Sequence, residues 1–167
     1  DYPNEKFEKS DWWYYAEKLR LEKYALNEEE LKPYFELNNV RNGAFGLATK
    51  LFGLQFKKLD NMPVYNPEVE VFEVTYADGS LVGILYTDYF PRAGKRPGAW
   101  MNNICPQYVD ANGVDHRPVI INVGNFNKPT AGNPSLLSMD DVETLFHEFG
   151  HALHGLMSKA TYKSLAG

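Results

Sequence analysis

One ten-residue stretch near the C-terminal end of the chain constrains its fold more than any other feature. It runs from Leu145 to His154 and contains the pattern His-Glu-x-x-His at residues 147–151. On an α-helix, residues four apart lie on one face, with Cβ atoms about 5–6 Å apart. Two imidazoles at that spacing can reach one Zn²⁺, which takes histidine nitrogens at about 2.0–2.1 Å. The pattern can therefore bind a metal only if this stretch is helical.

The residues around the motif predict a helix from about 139 to 158. Ser138 can cap its start, and acidic residues follow in the first turn, where the helix dipole favours negative charge. Gly150 and Gly155 each disfavour the helix by about 1 kcal/mol relative to Ala, although a small residue between the histidines would allow close packing. Apolar residues recur at helical spacing, namely Val142, Leu145, Phe146, Phe149, Ala152, Leu153, Leu156 and Met157.

His147 and His151 are thus candidate metal ligands, and Glu148 is a candidate general base. Glu148 lies about 100° round the helix from His147, where its carboxylate can take a proton from a water beside the metal. The alternative is a surface helix without a metal, because only three positions of the motif are fixed. The capped, amphipathic helix favours the metal site over that alternative.

Two further side chains lie near the motif. His154 follows His147 by seven residues, about 10 Å along the axis, which is too far for both to bind one ion comfortably. We expect His154 to support a ligand, to line a cleft or simply to pack. Glu143 is a candidate partner for a ligand, but a solvated helix carboxylate is the simpler expectation.

The third metal ligand decides the class of enzyme, since a catalytic zinc usually has three protein ligands and one open position. Met157 stands where the pattern with a third histidine needs that histidine, which excludes the metzincins. The remaining common choice is a downstream carboxylate, but no Asp or Glu follows Glu148. A carboxylate ligand would therefore lie beyond Gly167.

Composition narrows the possible partners. The net charge is −5 and no run of Lys or Arg occurs, which argues against nucleic acid. No apolar run approaches the roughly 20 residues that span a bilayer, which argues against a membrane. The single cysteine, Cys105, fits a reducing compartment. We expect a cytoplasmic protein in which Cys105 is a buried structural thiol.

The rest of the sequence predicts an α+β fold: N-terminal helices, a small antiparallel β-sheet and then the motif helix. Helices are expected at residues 10–26 and 40–52, with a short helical turn between Asn27 and Pro33. The aromatic residues of the first helix are expected to fill the core, and the second helix to turn Val40, Ala44, Leu47 and Leu51 inward, together with Leu54. Strands are expected at residues 69–76, 81–90, 100–108 and 118–126.

Several segments together resemble one family of zinc peptidases. Residues 138–154 are similar to the motif helix of the thimet oligopeptidase family, nearest to its bacterial peptidyl-dipeptidase Dcp and oligopeptidase A branch. Segments 78–81, 89–92, 98–101 and 125–126 are similar to that family's catalytic domain. Because both ends of the chain look cut, we expect residues 1–167 to be a single piece of a longer protein.

The resemblance implies a mainly helical, two-lobed zincin-type peptidase that acts on short peptides, releasing C-terminal dipeptides. It implies His147 and His151 as zinc ligands, Glu148 as the general base and one Zn²⁺ per full-length chain. It also implies a third ligand, a glutamate, and further catalytic groups beyond Gly167. The piece alone is then expected to bind zinc weakly or not at all and to be inactive, with the remaining lobes as its partners.

Two other interpretations stay open at this point. A thermolysin-like endopeptidase uses the same two histidines with a downstream glutamate. A structural or interaction module would carry the motif by chance. For an enzyme, a substrate peptide could add as a strand along an exposed sheet edge, or loops could merely cap that edge.

Overall fold

The computed structural model describes residues 6–25 and 28–167, except for the side chains of residues 28 and 29. Within these residues the α-helices are α1 (Trp12–Tyr24), α2 (Glu28–Leu31), α3 (Leu37–Phe52) and α4 (Met139–Leu156). The strands are β1 (Leu54–Lys58), β2 (Glu70–Tyr76), β3 (Leu81–Asp88), β4 (Trp100–Cys105), β5 (Tyr108–Val109), β6 (Asp115–His116) and β7 (Val119–Val123). The mixed α+β class is the one that the sequence predicts.

A five-stranded sheet in the order β1-β2-β3-β7-β4 forms the centre of the fold. The expectation of an antiparallel sheet is wrong for one pair, because β3 and β7 run parallel while the other neighbours run antiparallel. A parallel pair needs a crossover of a dozen or more residues, and the segment between Asp88 and Val119 supplies it. Strands β5 and β6 form a separate hairpin within this crossover.

The strand predictions hold best where a tight turn fixes the pairing. The strands predicted at residues 69–76 and 81–90 form a hairpin, β2 and β3, in which Tyr76 N–H donates to Ser80 O at 2.9 Å. Strands β4 and β7 each end three residues earlier than predicted. Strand β1 was not predicted; it follows α3 directly, after Gly53 ends that helix with a positive φ of 72°. The turn at residues 110–113 joins β5 to β6 rather than two strands of the main sheet.

Helix α4 begins as the sequence predicts and ends two residues early. Ser138 Oγ accepts a hydrogen bond from Asp141 N–H at 3.1 Å, and the Asp141 carboxylate accepts one from Ser138 N–H at 3.0 Å. This capping box satisfies two donors at the start of the helix. The buried stripe packs with α3 against the sheet, and its residues are Leu145, Phe149, Ala152 and Leu156.

Two expectations about the N-terminal helices are wrong within the described residues. The aromatic residues of α1 are exposed rather than in the core, with Trp12 at 58% and Tyr24 at 72%. On α3, Val40 and Ala44 are buried as expected, but Leu47 and Leu51 are exposed. A helical pattern of apolar residues predicts that one face of the helix is buried, but it does not say which element buries that face. Asn27, where the short helical turn is predicted to begin, lies outside the described residues.

Close contact between α4 and the sheet depends on glycines. A Cβ at Gly83 of β3 would lie 2.8 Å from Pro118 O and 2.8 Å from Leu156 Cδ2. A Cβ at Gly155 of α4 would lie 2.8 Å from Ile120 Cδ1 and 3.0 Å from Asn103 Oδ1. The close packing expected at Gly150 does not occur among the described residues, none of which lies within 4 Å of a Cβ built there.

A buried carboxylate holds the loop that follows β3. Asp88 accepts two hydrogen bonds from Arg92, each at 2.8 Å, one from Lys95 Nζ at 2.9 Å and one from Tyr65 OH at 2.6 Å. Burial alone would raise the pKa of Asp88, but the hydrogen bonds from Arg92, Tyr65 and Lys95 outweigh it and lower the pKa to about 2. Burial and the bond to Asp88 raise the pKa of Tyr65 to about 12.

Replacing Gly83 with alanine should weaken the packing of α4 against the sheet and lower the stability of the fold. The added methyl group meets the fixed Pro118 carbonyl, so we expect G83A to cost about 1–3 kcal/mol. At about 2–4 °C per kcal/mol for a protein of this size, the thermal midpoint should fall by about 2–12 °C. The matched control is G43A, an exposed helical site with open space around the Cβ, which should stabilise by up to about 1 kcal/mol. A midpoint for G83A equal to or above wild type would contradict the packing.

The Asp88 cluster predicts a defined loss of stability in acid. Because the folded pKa is lower than the ordinary value of 3.8, ionised Asp88 stabilises the fold at pH 7 and loses this effect as the pH falls from about 4 to 2. The D88N variant should therefore be less stable than wild type at pH 7 by about 2 kcal/mol, and the difference should shrink toward pH 2.

Chemical unfolding at a series of pH values would measure this difference. The control is D60N at an exposed aspartate, which should change stability by less than about 0.5 kcal/mol at any pH. A D88N penalty that does not depend on pH would contradict the assigned role of the charge.

Candidate metal centre

The two motif histidines converge at the surface of α4. Their rings are tilted at 79° with centroids 4.7 Å apart, and His151 Nε2 lies 3.1 Å from His147 Nε2. Both side chains are exposed. With neutral rings, one Nε2–H can donate to the lone pair of the other Nε2, so the two Nε2 atoms lie in the same small region. The structure therefore brings together the two residues that the sequence predicts as ligands.

This geometry fits two positions of a tetrahedral zinc site. Zinc–nitrogen distances of about 2.0–2.1 Å at a tetrahedral angle place two nitrogens about 3.3–3.4 Å apart. The observed separation of 3.1 Å is close to that value. The two nitrogens therefore have nearly the separation that two ligands of one zinc ion need.

Glu148 lies on the flank of α4 that faces β4. It is half-buried, and Gly155 follows it by seven residues, which places the two within about 20° of each other round the helix. A Cβ at Gly155 would lie 3.0 Å from Asn103 Oδ1 and 3.4 Å from Met101 Cε, both on β4. Glu148 thus shares a flank of α4 with Gly155, which packs beside β4.

The other side chains near the motif stay apart from the histidine pair. His154 is exposed and makes no side-chain hydrogen bond with any described residue. A Cβ at Gly167 would lie 2.8 Å from His154 Cδ2, so the last residue of the chain packs beside this ring. Glu143 is exposed, as a solvated helix carboxylate would be.

A complete three-ligand cluster is absent from residues 6–25 and 28–167. Nowhere in these ranges do three His, Cys, Asp or Glu side chains come together to hold a metal. Cys105 is free and half-buried rather than buried, with its Sγ 3.7 Å from Pro106 O, and takes no part in the histidine pair. None of the helices in the described part of the chain is both long enough and apolar enough to cross a bilayer.

Strand β4 forms one outer edge of the sheet and packs against α4, the helix that carries the histidine pair. Within the described residues, β4 pairs only with β7. Side chains alternate along it, with Trp100, Asn102 and Ile104 exposed and the residues between them half-buried. In the described structure, the β4 edge is therefore accessible to a peptide that adds as a further strand.

Sequence reasoning missed the basic residues around Asp88. The available signal was an aspartate at the end of a strand, followed by Arg92 and Lys95 in a loop rich in glycine and proline. That pattern predicts a turn, but it does not predict that both cations fold back onto the aspartate. The contact depends on where β7 ends, because Lys95 Nζ also donates to Gly124 O.

The chain is similar to known peptidases over nearly its whole length. Residues 2–167 match Peptidase family M3. The dipeptidyl carboxypeptidases of Salmonella typhimurium and Escherichia coli are 49% and 48% identical to it, over 158 and 159 residues that cover 94% of this chain and 23% of each relative. Oligopeptidase A of Salmonella typhimurium is 38% identical over 154 residues, which cover 92% of this chain and 23% of that relative.

These matches confirm the resemblance drawn from the motif helix and the four segments before it. The chain spans about a quarter of the length of these curated relatives. The family match extends over the helices, the sheet and the His-Glu-x-x-His segment alike. The chain therefore belongs to peptidase family M3.

Proposed function

We propose that this chain provides the two-histidine half of a zinc site, together with its general base, in a peptidase that cleaves short peptides. His147 and His151 are the zinc ligands and Glu148 is the base. The convergence of the two Nε2 atoms, 3.1 Å apart, carries this proposal. Membership of family M3 supports it independently.

Zinc, when bound, supplies Lewis acidity that polarises a carbonyl group and makes water more acidic. The residues of this chain do the remaining work. His147 and His151, which lie one helical turn apart, would hold the ion. The buried apolar stripe holds their helix in place against the sheet. Glu148 takes a proton from the attacking water and later delivers one to the leaving amine, which is ordinary general base and general acid catalysis. Its half-buried position limits the directions in which the carboxylate can turn.

The third ligand is proposed to be a glutamate that is not among the described residues. Two imidazoles alone leave a zinc site half built, and metal affinity falls steeply with each missing ligand. The chain matches only 23% of the length of its relatives, which leaves ample sequence in such proteins for a further ligand and for the helical lobes. On this proposal the 167 residues alone bind zinc weakly and do not turn over peptides.

We propose release of C-terminal dipeptides as the reaction. The relatives at 49% and 48% identity are named dipeptidyl carboxypeptidases, whereas those named oligopeptidase A are 38% and 37% identical. The second candidate is internal cleavage of oligopeptides, which the oligopeptidase A relatives keep open. The family match favours both over a thermolysin-like enzyme and over a module with a fortuitous motif.

The substrate peptide is proposed to lie along the outer edge of β4. An added strand would hydrogen-bond to the main chain of β4 and would not need a particular sequence. The edge is accessible, and Gly155, which shares a flank of α4 with Glu148, packs beside Asn103 of β4. A cytoplasmic location remains a proposal that rests on the single cysteine, and cell fractionation with an antibody would test it.

Two variants of the full-length protein separate zinc binding from catalysis. H147A should lose at least about 90% of the bound zinc, because it removes one of three ligands. E148Q should keep stoichiometric zinc but lose cleavage by at least about 100-fold, because the amide cannot take a proton. Metal analysis by mass spectrometry and a peptide assay measure both quantities.

The control is H154A, which should retain zinc. Loss of zinc in H154A with retention in H147A would refute the assigned ligands. Normal turnover by E148Q would refute the assigned base.

Peptides with blocked ends distinguish the two proposed reactions. A dipeptide-releasing enzyme requires a free C-terminal carboxylate, so an amidated hexapeptide should be cleaved at least about tenfold more slowly than the same peptide with a free acid, as a charged hydrogen bond is worth about 1.5–3 kcal/mol. Mass spectrometry of the products should also show the C-terminal dipeptide first. Equal rates, with cleavage at internal sites, would support the oligopeptidase alternative.

A further inference from the structure

A second polar site lies on the face of the sheet opposite α4. It is a pocket of about 510 Å³ between the loop that follows β3 and the exposed side of β4. We call it the basic pocket; its lining includes Tyr65, Arg92, Lys95, Arg96, Trp100 and Asn102. The proposed zinc site uses none of these side chains.

The basic pocket carries positive charge in a chain that is acidic overall. Its charged lining comprises three cations and one carboxylate, Asp88, for a net formal charge of +2, whereas the whole chain has −5. Arg92 and Lys95 are bound to Asp88. The Arg96 guanidinium is exposed and has no hydrogen-bond or ion-pair partner among the described residues. Arg96 is therefore the cation that is free to bind a ligand.

The backbone beneath Arg96 is fixed in place. Asn125 Nδ2 donates to Arg96 O at 2.9 Å and to Gly98 O at 2.7 Å. Lys95 Nζ donates to Phe90 O at 2.9 Å and also to the main chain beyond β7. A guanidinium on a fixed loop loses less conformational entropy on binding than one on a mobile loop.

The basic pocket lies where alternate side chains of a peptide on β4 would point. Met101 and Asn103 face α4 through their approach to Gly155, so Trp100 and Asn102 face the opposite side, where the pocket lies. A strand paired with β4 places every second side chain on each face, next to those of β4. One set of substrate side chains would meet the zinc site, and the other set would meet the basic pocket.

We infer that the basic pocket binds a carboxylate of the substrate peptide through Arg96. The guanidinium matches a carboxylate in two parallel hydrogen bonds, and the exposed Trp100 indole offers an apolar wall for the attached chain. The carboxylate comes from an acidic side chain or from the C-terminus of the peptide. The position of the peptide in this inference rests on the proposed function, whereas the positive charge of the pocket does not depend on it.

Direct binding tests the inference without turnover. Full-length protein carrying E148Q, alone and with R96Q added, would be titrated calorimetrically with three forms of one hexapeptide. The first has a free C-terminus and an internal glutamate, the second is amidated, and the third has glutamine in place of the glutamate. We expect R96Q to weaken binding of the first form about tenfold, as one charge-assisted contact is lost.

The three forms identify the source of the carboxylate. If amidation alone removes the effect of R96Q, the C-terminal carboxylate occupies the pocket; if the glutamine form alone removes it, the side chain does. The matched control is K57Q, an exposed cation on β1 at the far edge of the sheet, which should leave all three affinities unchanged.

Two outcomes would overturn the inference. One is an unchanged affinity of R96Q for the first form, and the other is an equal loss for all three forms. Failure of the proposed function is recognised separately, because the protein without E148Q would then cleave none of the three peptides.

Discussion

The seating of α4 on the sheet is the interaction on which the rest of the molecule depends. Its apolar stripe packs into the core made by α3 and the sheet, and Leu145 and Leu156 are almost completely buried. Burying a leucine side chain contributes roughly 1.5–3 kcal/mol, so the stripe also fixes the rotation of the helix about its axis. Once that rotation is fixed, the spacing of four residues directs His147 and His151 outward together.

The same seating decides what lies beside the histidine pair. Glycines at positions 83 and 155 let the helix approach β3, β7 and β4 closely, so that the flank bearing Glu148 faces the sheet edge. That edge is open, and the opposite face of its strand carries the basic pocket. A single strand therefore separates two polar sites, one with two histidines and a glutamate and the other with an unpaired arginine among the described residues.

The motif helix could be predicted from sequence because its evidence is local. The Ser138 cap, the apolar spacing and the two histidines all lie within nineteen residues, and the helix forms where they indicate. The hairpin around Asp78 and Gly79 is local in the same sense. Features that depend on distant partners were beyond such reasoning, including the parallel pairing of β3 with β7 and the fold of Lys95 onto Asp88 and Gly124.

The exposed aromatic face of α1 is another case in which a local pattern was not enough, because the pattern predicts burial that the described structure does not show. Its spacing predicts burial, yet Trp13 is 78% exposed, because the spacing does not say which element covers a face. No cluster of three metal-ligating side chains occurs among the described residues, so the local motif gives only two candidate ligands and a candidate base.

X-ray absorption at the zinc edge of the full-length protein would identify the ligand atoms of the proposed site. We expect two imidazole nitrogens at about 2.0–2.1 Å and oxygen ligands in the remaining positions of a tetrahedral ion. A spectrum with sulfur ligands, or with no imidazole scattering, would contradict it.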